Sequence, residues 1–190
     1  MFITFEGIDF SGKSTQAGLA VDRLLSLGWS VRFVREPGGT ELSERIRSIL
    51  LDKDHIAIDP VSELLLFSAA RAQLVREVIV PSIAAGMIVV CDRFYDSTTA
   101  YKGYGRDLPL GQVRTINAFS TSGTTPDLTL FVDVEQDEIR RRKLTSGGAP
   151  DRMERSGDAF YDKVIDGYRR IALEEPERVV VIAGSGPVEQ

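Results

Sequence analysis

The fold class of this 190-residue chain follows most directly from residues 7–14, which read Gly-Ile-Asp-Phe-Ser-Gly-Lys-Ser. They complete the pattern G-x-x-x-x-G-K-[ST], in which successive backbone N–H groups turn inward around a polyphosphate. An apolar run at 2–5 predicts a strand before the pattern, and apolar spacing predicts a helix after it, from Lys13 to Leu27. A strand, a glycine-rich loop and a helix in this order predict a nucleotide-binding P-loop.

Short apolar runs alternate with helical periods along the rest of the chain. Strands are predicted at 2–5, 31–34, 87–91, 128–134 and 179–182. Further helices are predicted at 60–80, where Pro81 kinks or restarts the helix, and at 94–103, 110–120, 135–145 and 158–175. The alternation predicts an α/β fold of the P-loop NTPase type, a doubly wound parallel five-stranded sheet flanked by helices, in a single domain over residues 1–190.

Composition narrows the classes of function. Hydrophobic residues make up 43% of the chain and charged residues 27%, as in ordinary globular proteins, and the net charge of −5 disfavours a general nucleic-acid-binding surface. No run approaches the ~20 apolar residues of a membrane helix, and the N-terminus lacks a secretory pattern. The single cysteine, Cys91, excludes an intrachain disulfide. We therefore expect a cytoplasmic protein with neither nucleic acid nor membrane as a partner.

Three classes of P-loop protein compete: a GTPase switch, an ATPase that acts on macromolecules, and a small-molecule kinase. The chain lacks the Asn-Lys-x-Asp segment with which a GTPase reads its base, and it is too short for an obvious motor module. A kinase also needs a site for its acceptor. Asp92 and Arg93 directly follow the predicted strand at 87–91. Ligands bind at the carboxyl ends of strands in open α/β sheets. Asp92 suits Mg²⁺ and Arg93 suits a phosphate, so a kinase is favoured.

Two pairs of side chains suit a base pocket. Phe67 and Arg71 lie four residues apart and therefore share a helix face, where a flat ring can stack on a base and a planar donor can bond its carbonyl edge. Thr98 and Tyr101, three apart on the helix after Arg93, can face the same pocket. Taken alone, each pair is better explained by packing at the edge of a core.

Four segments together resemble bacterial thymidylate kinases: Phe5-Glu6-Gly7 with the P-loop, 35–40 (Arg-Glu-Pro-Gly-Gly-Thr), 67–71 (Phe-Ser-Ala-Ala-Arg) and 92–101 (Asp-Arg-Phe-Tyr-Asp-Ser-Thr-Thr-Ala-Tyr). The resemblance implies the reaction ATP + dTMP → ADP + dTDP, Mg²⁺ as cofactor, and a homodimer. A kinase for another deoxynucleoside monophosphate and a non-catalytic nucleotide-binding or sensing protein remain the alternatives.

The resemblance also implies roles for individual residues. Phe67 stacks on thymine, Arg71 binds its O4 edge, and Tyr101 crowds the 2′ position of the sugar. The implied dTMP-binding residues are Glu36, Pro37, Arg47, Phe67, Arg71, Arg93, Ser97, Thr98 and Tyr101. The implied ATP-binding residues are Gly7, Ile8, Asp9, Phe10, Ser11, Gly12, Lys13, Ser14, Thr15 and Arg140. The implied catalytic residues are Lys13, Asp9, Arg93, Arg142 and Arg152, and the implied metal ligands are Ser14 and Asp92.

A lid over the donor site is expected at about residues 140–157, where Gly147-Gly148 and Pro150 interrupt a cationic segment. Family members without an arginine in the P-loop carry it in the lid, and Phe10 leaves this P-loop without one. The chain thus resembles the lid-arginine type. Phe10 occupies a position that is often small, and we expect it at negative φ with its ring pointing outward. No general base is required, because a phosphate oxygen with a second pKa of about 6 is already ionised at pH 7.

Overall fold

Five parallel strands form the sheet of the computed structural model, which describes residues 1–52, 57–146 and 157–186. Their spatial order is β2-β3-β1-β4-β5. The strands are β1 (Phe2–Glu6), β2 (Val31–Arg35), β3 (Ile88–Asp92), β4 (Leu128–Asp133) and β5 (Val179–Ala183). The predicted fold class and all five predicted strands are confirmed, with bounds that differ by one residue at most.

Helices cover both faces of this sheet. They are α1 (Lys13–Ser26), α2 (Glu41–Leu50), α3 (Pro60–Leu74), α4 (Val80–Ala84), α5 (Tyr95–Thr98), α6 (Leu110–Thr121), α7 (Gln136–Ser146) and α8 (Asp158–Glu174). A π-helical turn, Val75–Ile79, joins α3 to α4, and a second one, Thr99–Gly105, continues α5. The break predicted at Pro81 thus begins before the proline, at Val75. Proline has no N–H, so it cannot donate the hydrogen bond that a regular α-helix needs at this position.

Helix α2 was not predicted from the sequence. Thr40 caps its N-terminus by accepting a hydrogen bond from the Ser43 backbone N–H at 3.1 Å. The buried face consists of Ser43, Ile46 and Leu50, while charged residues occupy much of the remaining surface. The apolar residues Leu42, Ile46, Ile49 and Leu50 nevertheless recur at helical spacing, so the sequence carried a signal for this helix that was missed.

The central strands are buried on both faces. Phe2, Val89 and Cys91 pack with the α3 side of the sheet, and Phe5 and Val90 pack on the opposite face against α1. This two-sided burial explains why the run that forms β3 is almost wholly apolar. Both β1 and β3 end at the same edge of the sheet, so the P-loop and the Asp-Arg pair after β3 meet there.

The described residues include no helix with the length and apolar character needed to cross a membrane.

Candidate active site

The P-loop links β1 to the N-terminus of α1. Gly7 and Gly12 have φ of +146° and +93°, and a Cβ on Gly7 would lie 2.8 Å from both the Val132 carbonyl oxygen and Ser11 Oγ. Glycine is therefore required at position 7. Gly12 occupies the N-cap of α1 and offers no capping side chain, so the N–H groups of Ser14 and Thr15 are available to an anion. Ser14 and Thr15 are exposed in this first turn.

The expectation for Phe10 is wrong. Its φ is +64°, and its half-buried ring packs against the hydrophobic cluster that includes Val132 and Ile139 instead of pointing outward. A left-handed conformation costs a non-glycine residue roughly 1–2 kcal/mol. Burial of the ring, together with a 3.2 Å hydrogen bond from Arg142 Nη1 to the Phe10 carbonyl oxygen, offsets this cost.

Lys13 and Arg93 converge on Asp9. Lys13 Nζ lies 3.9 Å from Asp9 Oδ1, and Arg93 Nη2 donates to the same oxygen at 2.6 Å. Arg93 Nη1 also donates to the Gly7 carbonyl oxygen at 2.8 Å, which ties the guanidinium to the P-loop backbone. Burial acts to raise the pKa of Asp9, but the two cations outweigh it, and the pKa lies below its ordinary value. One ionised carboxylate thus contacts both the lysine of the P-loop and the arginine that follows β3.

Ser14 and Asp92, the two expected metal ligands, are in direct contact. Ser14 Oγ donates to Asp92 Oδ2 at 2.5 Å, and the buried Asp92 Oδ1 has no hydrogen-bond partner among the described residues. A buried carboxylate oxygen without a donor beside a hydroxyl is the type of oxygen set that Mg²⁺ prefers. The residues present therefore fit a magnesium ion.

The sole cysteine contributes no reactive group to this edge of the sheet. Cys91 is fully buried, and its Sγ donates to the Arg93 carbonyl oxygen at 2.9 Å. Burial raises the pKa of the thiol well above its ordinary value, so the thiolate is disfavoured.

All nine expected dTMP-binding residues line one cavity beside the P-loop. Three further residues, Leu51, Lys102 and Asp9, complete its lining. Arg47, on α2, donates from Nη1 to the Pro37 carbonyl oxygen at 2.9 Å, which anchors the loop after β2. The nine residues come from four separate parts of the chain, yet the fold brings them together.

Arg71 lies deep in this cavity and is bound to Glu36. The Arg71 Nε donates to both Glu36 carboxylate oxygens, at 2.9 and 3.0 Å, and Nη2 donates to Oε2 at 2.6 Å. Nη2 also donates to Thr98 Oγ1 at 2.6 Å, and Nη1 donates to Asn117 Oδ1 at 2.9 Å. Burial raises the pKa of Glu36 above its ordinary value even though Arg71 acts to lower it.

A second buried ion pair lies below the Phe67 ring. Lys102 Nζ is 4.5 Å from the ring centroid and 2.5 Å from Glu63 Oε1. Neither Lys102 nor Glu63 is assigned a role from the sequence. Their spacing carried a signal, because Glu63 lies four residues before Phe67 and Lys102 lies four after Thr98 on the same helical segments.

Glu6 is another buried carboxylate to which the sequence alone gives no role. Its oxygens accept hydrogen bonds from the Phe94 backbone N–H at 2.7 Å, from the Ser97 hydroxyl at 2.6 Å and from the Tyr168 hydroxyl at 2.9 Å. Burial raises the pKa of Glu6 from 4.5 to about 7. Arg93 Nη1 donates to Ser97 Oγ at 3.2 Å, so this network supports the acceptor side of the site.

Arg140 and Arg142 lie on α7, on the other side of the P-loop. Arg140 pairs with Asp137 at 2.9 Å and Asp158 at 2.8 Å, and it lines a smaller cavity with P-loop residues Ile8 to Phe10. Arg142 donates to the Ser11 carbonyl oxygen at 2.9 Å. Arg152 lies outside the described residues, as does most of the expected lid at 140–157.

Comparison with known proteins shows which family the chain resembles. A profile of the thymidylate kinase family matches residues 5–190. The thymidylate kinase of Pelobacter propionicus is 47% identical over all of this chain and 89% of the relative. That of Chlorobium luteolum is 51% identical over 94% of this chain and 86% of the relative.

A solved structure is also similar. The crystal structure of thymidylate kinase from Ehrlichia chaffeensis superposes with a TM-score of 0.79 at 39% sequence identity, and the match covers 96% of this chain and 90% of that one. Sequence and structure thus agree over nearly the whole length, and the chain belongs to the thymidylate kinase family.

Proposed function

We propose that this chain binds ATP on the P-loop and dTMP in the adjoining cavity, with their phosphates meeting beside Asp9. Members of its family transfer the γ-phosphoryl group of ATP to dTMP, which gives ADP and the dTDP needed for dTTP synthesis. The observation that carries the proposal is the convergence of Lys13 and Arg93 on one carboxylate. Two cations on the same carboxylate oxygen support a site in which the γ-phosphate of ATP and the single phosphate of dTMP are held head to head.

The acceptor nucleotide has a complete set of complementary groups in the cavity. Phe67 offers an apolar ring for stacking on thymine, Arg71 offers a donor for the C4 oxygen, and Tyr101 packs where a 2′-hydroxyl would otherwise fit. Thr98 closes the cavity beside Arg71. The remaining expected contacts hold the acceptor phosphate and its loop, and are made by Glu36, Pro37, Arg47, Arg93 and Ser97.

Catalysis rests on positioning and on charge neutralisation, without a general base. The attacking phosphate oxygen is already anionic, so the main barrier lies in bringing two anions together and stabilising the moving phosphoryl group. Lys13 supplies one positive charge from the P-loop, and Arg93 supplies another from the position directly after β3. Arg142 and Arg152 complete the set when a lid at about 140–157 closes over ATP, as in the lid-arginine type, and Arg140 contacts the adenine side.

Mg²⁺ is the proposed cofactor, held by Ser14 and Asp92. Its role is to neutralise charge on the ATP phosphates. Two groups support this assignment: Asp92 Oδ1, which has no partner in the described part of the chain, and the Ser14 hydroxyl beside it. Replacing Ser14 with Ala should raise the Mg²⁺ concentration needed for half-maximal activity, and an unchanged requirement would remove Ser14 from the site.

The proposed assembly is a homodimer in the cytoplasm. Exposed apolar side chains on two packed helices support the dimer: Val61 and Leu65 on α3, and Phe119 on α6. Burying such side chains against a second copy would remove them from water. Leu65→Asp should convert the dimer to a monomer in analytical ultracentrifugation. A wild-type chain that sediments as a monomer at all concentrations contradicts the dimer.

One experiment separates the proposed reaction from its two alternatives. The chain is incubated with ATP and Mg²⁺ and with each deoxynucleoside monophosphate in turn, while ADP release is followed by a coupled assay. Fastest release with dTMP supports the proposal. Faster turnover of dGMP or dCMP favours a kinase for another nucleotide, and ATP binding without ADP release favours a non-catalytic nucleotide sensor.

A further inference from the structure

Arg71 has only one N–H group left for a ligand. A guanidinium carries five N–H donors in one plane. Nε and Nη2 are engaged by Glu36 and Thr98, and one N–H of Nη1 is engaged by Asn117 Oδ1 at 2.9 Å. The second N–H of Nη1 has no partner among the described residues, and Arg71 lines the acceptor cavity. A single donor is thus left to read the base.

Asn117 approaches this guanidinium from α6, at the end opposite to Glu36. The asparagine is buried, with 4% of its surface exposed, and it has no place in the family resemblance or in the proposed contacts with dTMP. Glu36 accepts hydrogen bonds from the edge formed by Nε and Nη2, whereas Asn117 accepts one from Nη1. Contacts at both ends fix the plane and the tilt of the guanidinium.

The neighbours of Asn117 determine which way its amide faces. Nδ2 donates to the Tyr95 carbonyl oxygen at 3.3 Å and to Thr99 Oγ1 at 3.0 Å. A backbone carbonyl can only accept, so the NH₂ group must face Tyr95 and Oδ1 must face Arg71. If the amide were flipped, its NH₂ group would face the N–H of Arg71 Nη1, and its oxygen would face the Tyr95 carbonyl oxygen. Neither pair can form a hydrogen bond. The amide therefore presents an acceptor to Arg71 in a fixed direction.

We infer that Asn117 is a positioning residue for base recognition, which orients Arg71 so that one N–H faces the C4 oxygen of thymine. This inference rests on the proposed dTMP site. A pyrimidine with a keto oxygen at C4 accepts this N–H, whereas the C4 amino group of cytosine sets a donor against it. Asn117 thereby contributes to the choice of base without touching the nucleotide.

The test compares two variants with two nucleotides. Asn117→Leu removes the acceptor and keeps a similar volume, and Asn117→Ala provides a second variant if the first fails to fold. We expect the KM for dTMP to rise about tenfold, in line with a lost hydrogen bond to a charged group, while kcat and the KM for ATP stay within about twofold. Circular dichroism and thermal unfolding check that each variant is folded.

The second nucleotide is the analogue of dTMP that lacks the C4 oxygen, a 5-methyl-2-pyrimidinone deoxyribonucleoside monophosphate. Its inhibition constant against dTMP phosphorylation should be the same, within about twofold, for the wild type and both Asn117 variants. This equality is expected because the analogue offers no acceptor to the oriented N–H. An equal tenfold loss for both nucleotides would indicate a merely structural role and overturn the inference.

Ser120→Ala is the matched control for a loosened helix. Ser120 is also buried on α6, and its hydroxyl donates to the Asn117 carbonyl oxygen at 3.0 Å without contacting Arg71. It should leave the KM for dTMP within about twofold. A tenfold rise in this control would assign the effect to α6 as a whole and contradict the inference. Wild-type chain that does not phosphorylate dTMP at all would instead refute the proposed function.

Discussion

The acceptor and donor sides of the P-loop hold their cations in different ways. On the acceptor side, Arg71 is buried against Glu36, and Arg93 is largely buried against Asp9. On the donor side, the Arg140 side chain is 50% exposed and pairs with Asp137 and Asp158 at the surface. Exposed pairs of this kind contribute only about 0–1 kcal/mol, so a ligand can replace them at little cost. In the proposed site, Arg71 and Arg93 are therefore preorganised, whereas Arg140, unlike the buried Lys13, can change partners when ATP binds.

The largest expected effect comes from removing Lys13, the buried donor-side cation beside Asp9. Lys13→Ala should lower kcat about 100- to 1,000-fold, because one charged donor aimed at the transferring group is lost. Thermal unfolding should change little by comparison. Steady-state kinetics check the result, with Lys163→Ala as the control, since Lys163 forms an exposed pair with Asp107. Turnover near the wild-type value would remove Lys13 from the mechanism.

Arg71→Ala tests the preorganised side. It leaves Glu36 buried without its cation, which should cost about 3–5 kcal/mol in the free energy of unfolding. The KM for dTMP should rise at least about tenfold, with a much smaller change in the KM for ATP. Denaturant unfolding and kinetics measure the two effects separately. An effect confined to ATP would mean that the base pocket is misplaced.

Titration of Glu6 should make the free energy of unfolding depend on pH. Because its pKa is about 7 in the folded protein and 4.5 ordinarily, the folded state binds the proton more tightly. The contribution of Glu6 to stability is thus fully present below pH 4.5 and is lost as the pH rises toward 7.

The expected size of this effect follows from the two pKa values. From pH 5 to pH 8, the free energy of unfolding of the wild type should fall by about 2–3 kcal/mol relative to Glu6→Gln, which cannot titrate. Urea unfolding at a series of pH values measures this difference. A constant difference between the two proteins would show that Glu6 is ionised throughout.

The smallest expected effect lies on the donor side. Arg140→Ala should raise the KM for ATP about threefold and leave the KM for dTMP unchanged, with a stability change below about 1 kcal/mol. Arg45→Ala is the matched control, because Arg45 also forms an exposed ion pair within one helix, on α2. If Arg140→Ala destabilises the protein as much as Arg71→Ala does, the contrast between the two sides is wrong.

The features that could be predicted from the sequence are those that a few consecutive residues determine. The P-loop and the five strands follow from a short motif and from apolar runs, because each is encoded within a few consecutive residues. The resemblance to a known family then supplied the residues that line the acceptor cavity. The helix α2 was missed although its apolar residues follow a helical period. The positive φ of Phe10, by contrast, depends on how its ring packs against distant residues.

The partners that hold the site residues were the least predictable. Asn117 lies 46 positions from Arg71, and Tyr168 lies 162 positions from Glu6. Nothing in their own neighbourhood distinguishes them from other polar residues on a helix. Only the packing of α6 and α8 beside the sheet brings them to the site, and a single sequence does not display such tertiary proximity.

The burial of Cys91 has a practical consequence for labelling. A maleimide dye needs an accessible thiolate, and the only native thiol of this chain is shielded within the sheet. A cysteine introduced on an exposed residue of α7, such as Lys143, would then carry essentially all of the dye without any need to replace Cys91. Fluorescence from that position would report on ATP-induced movement in an otherwise unaltered enzyme.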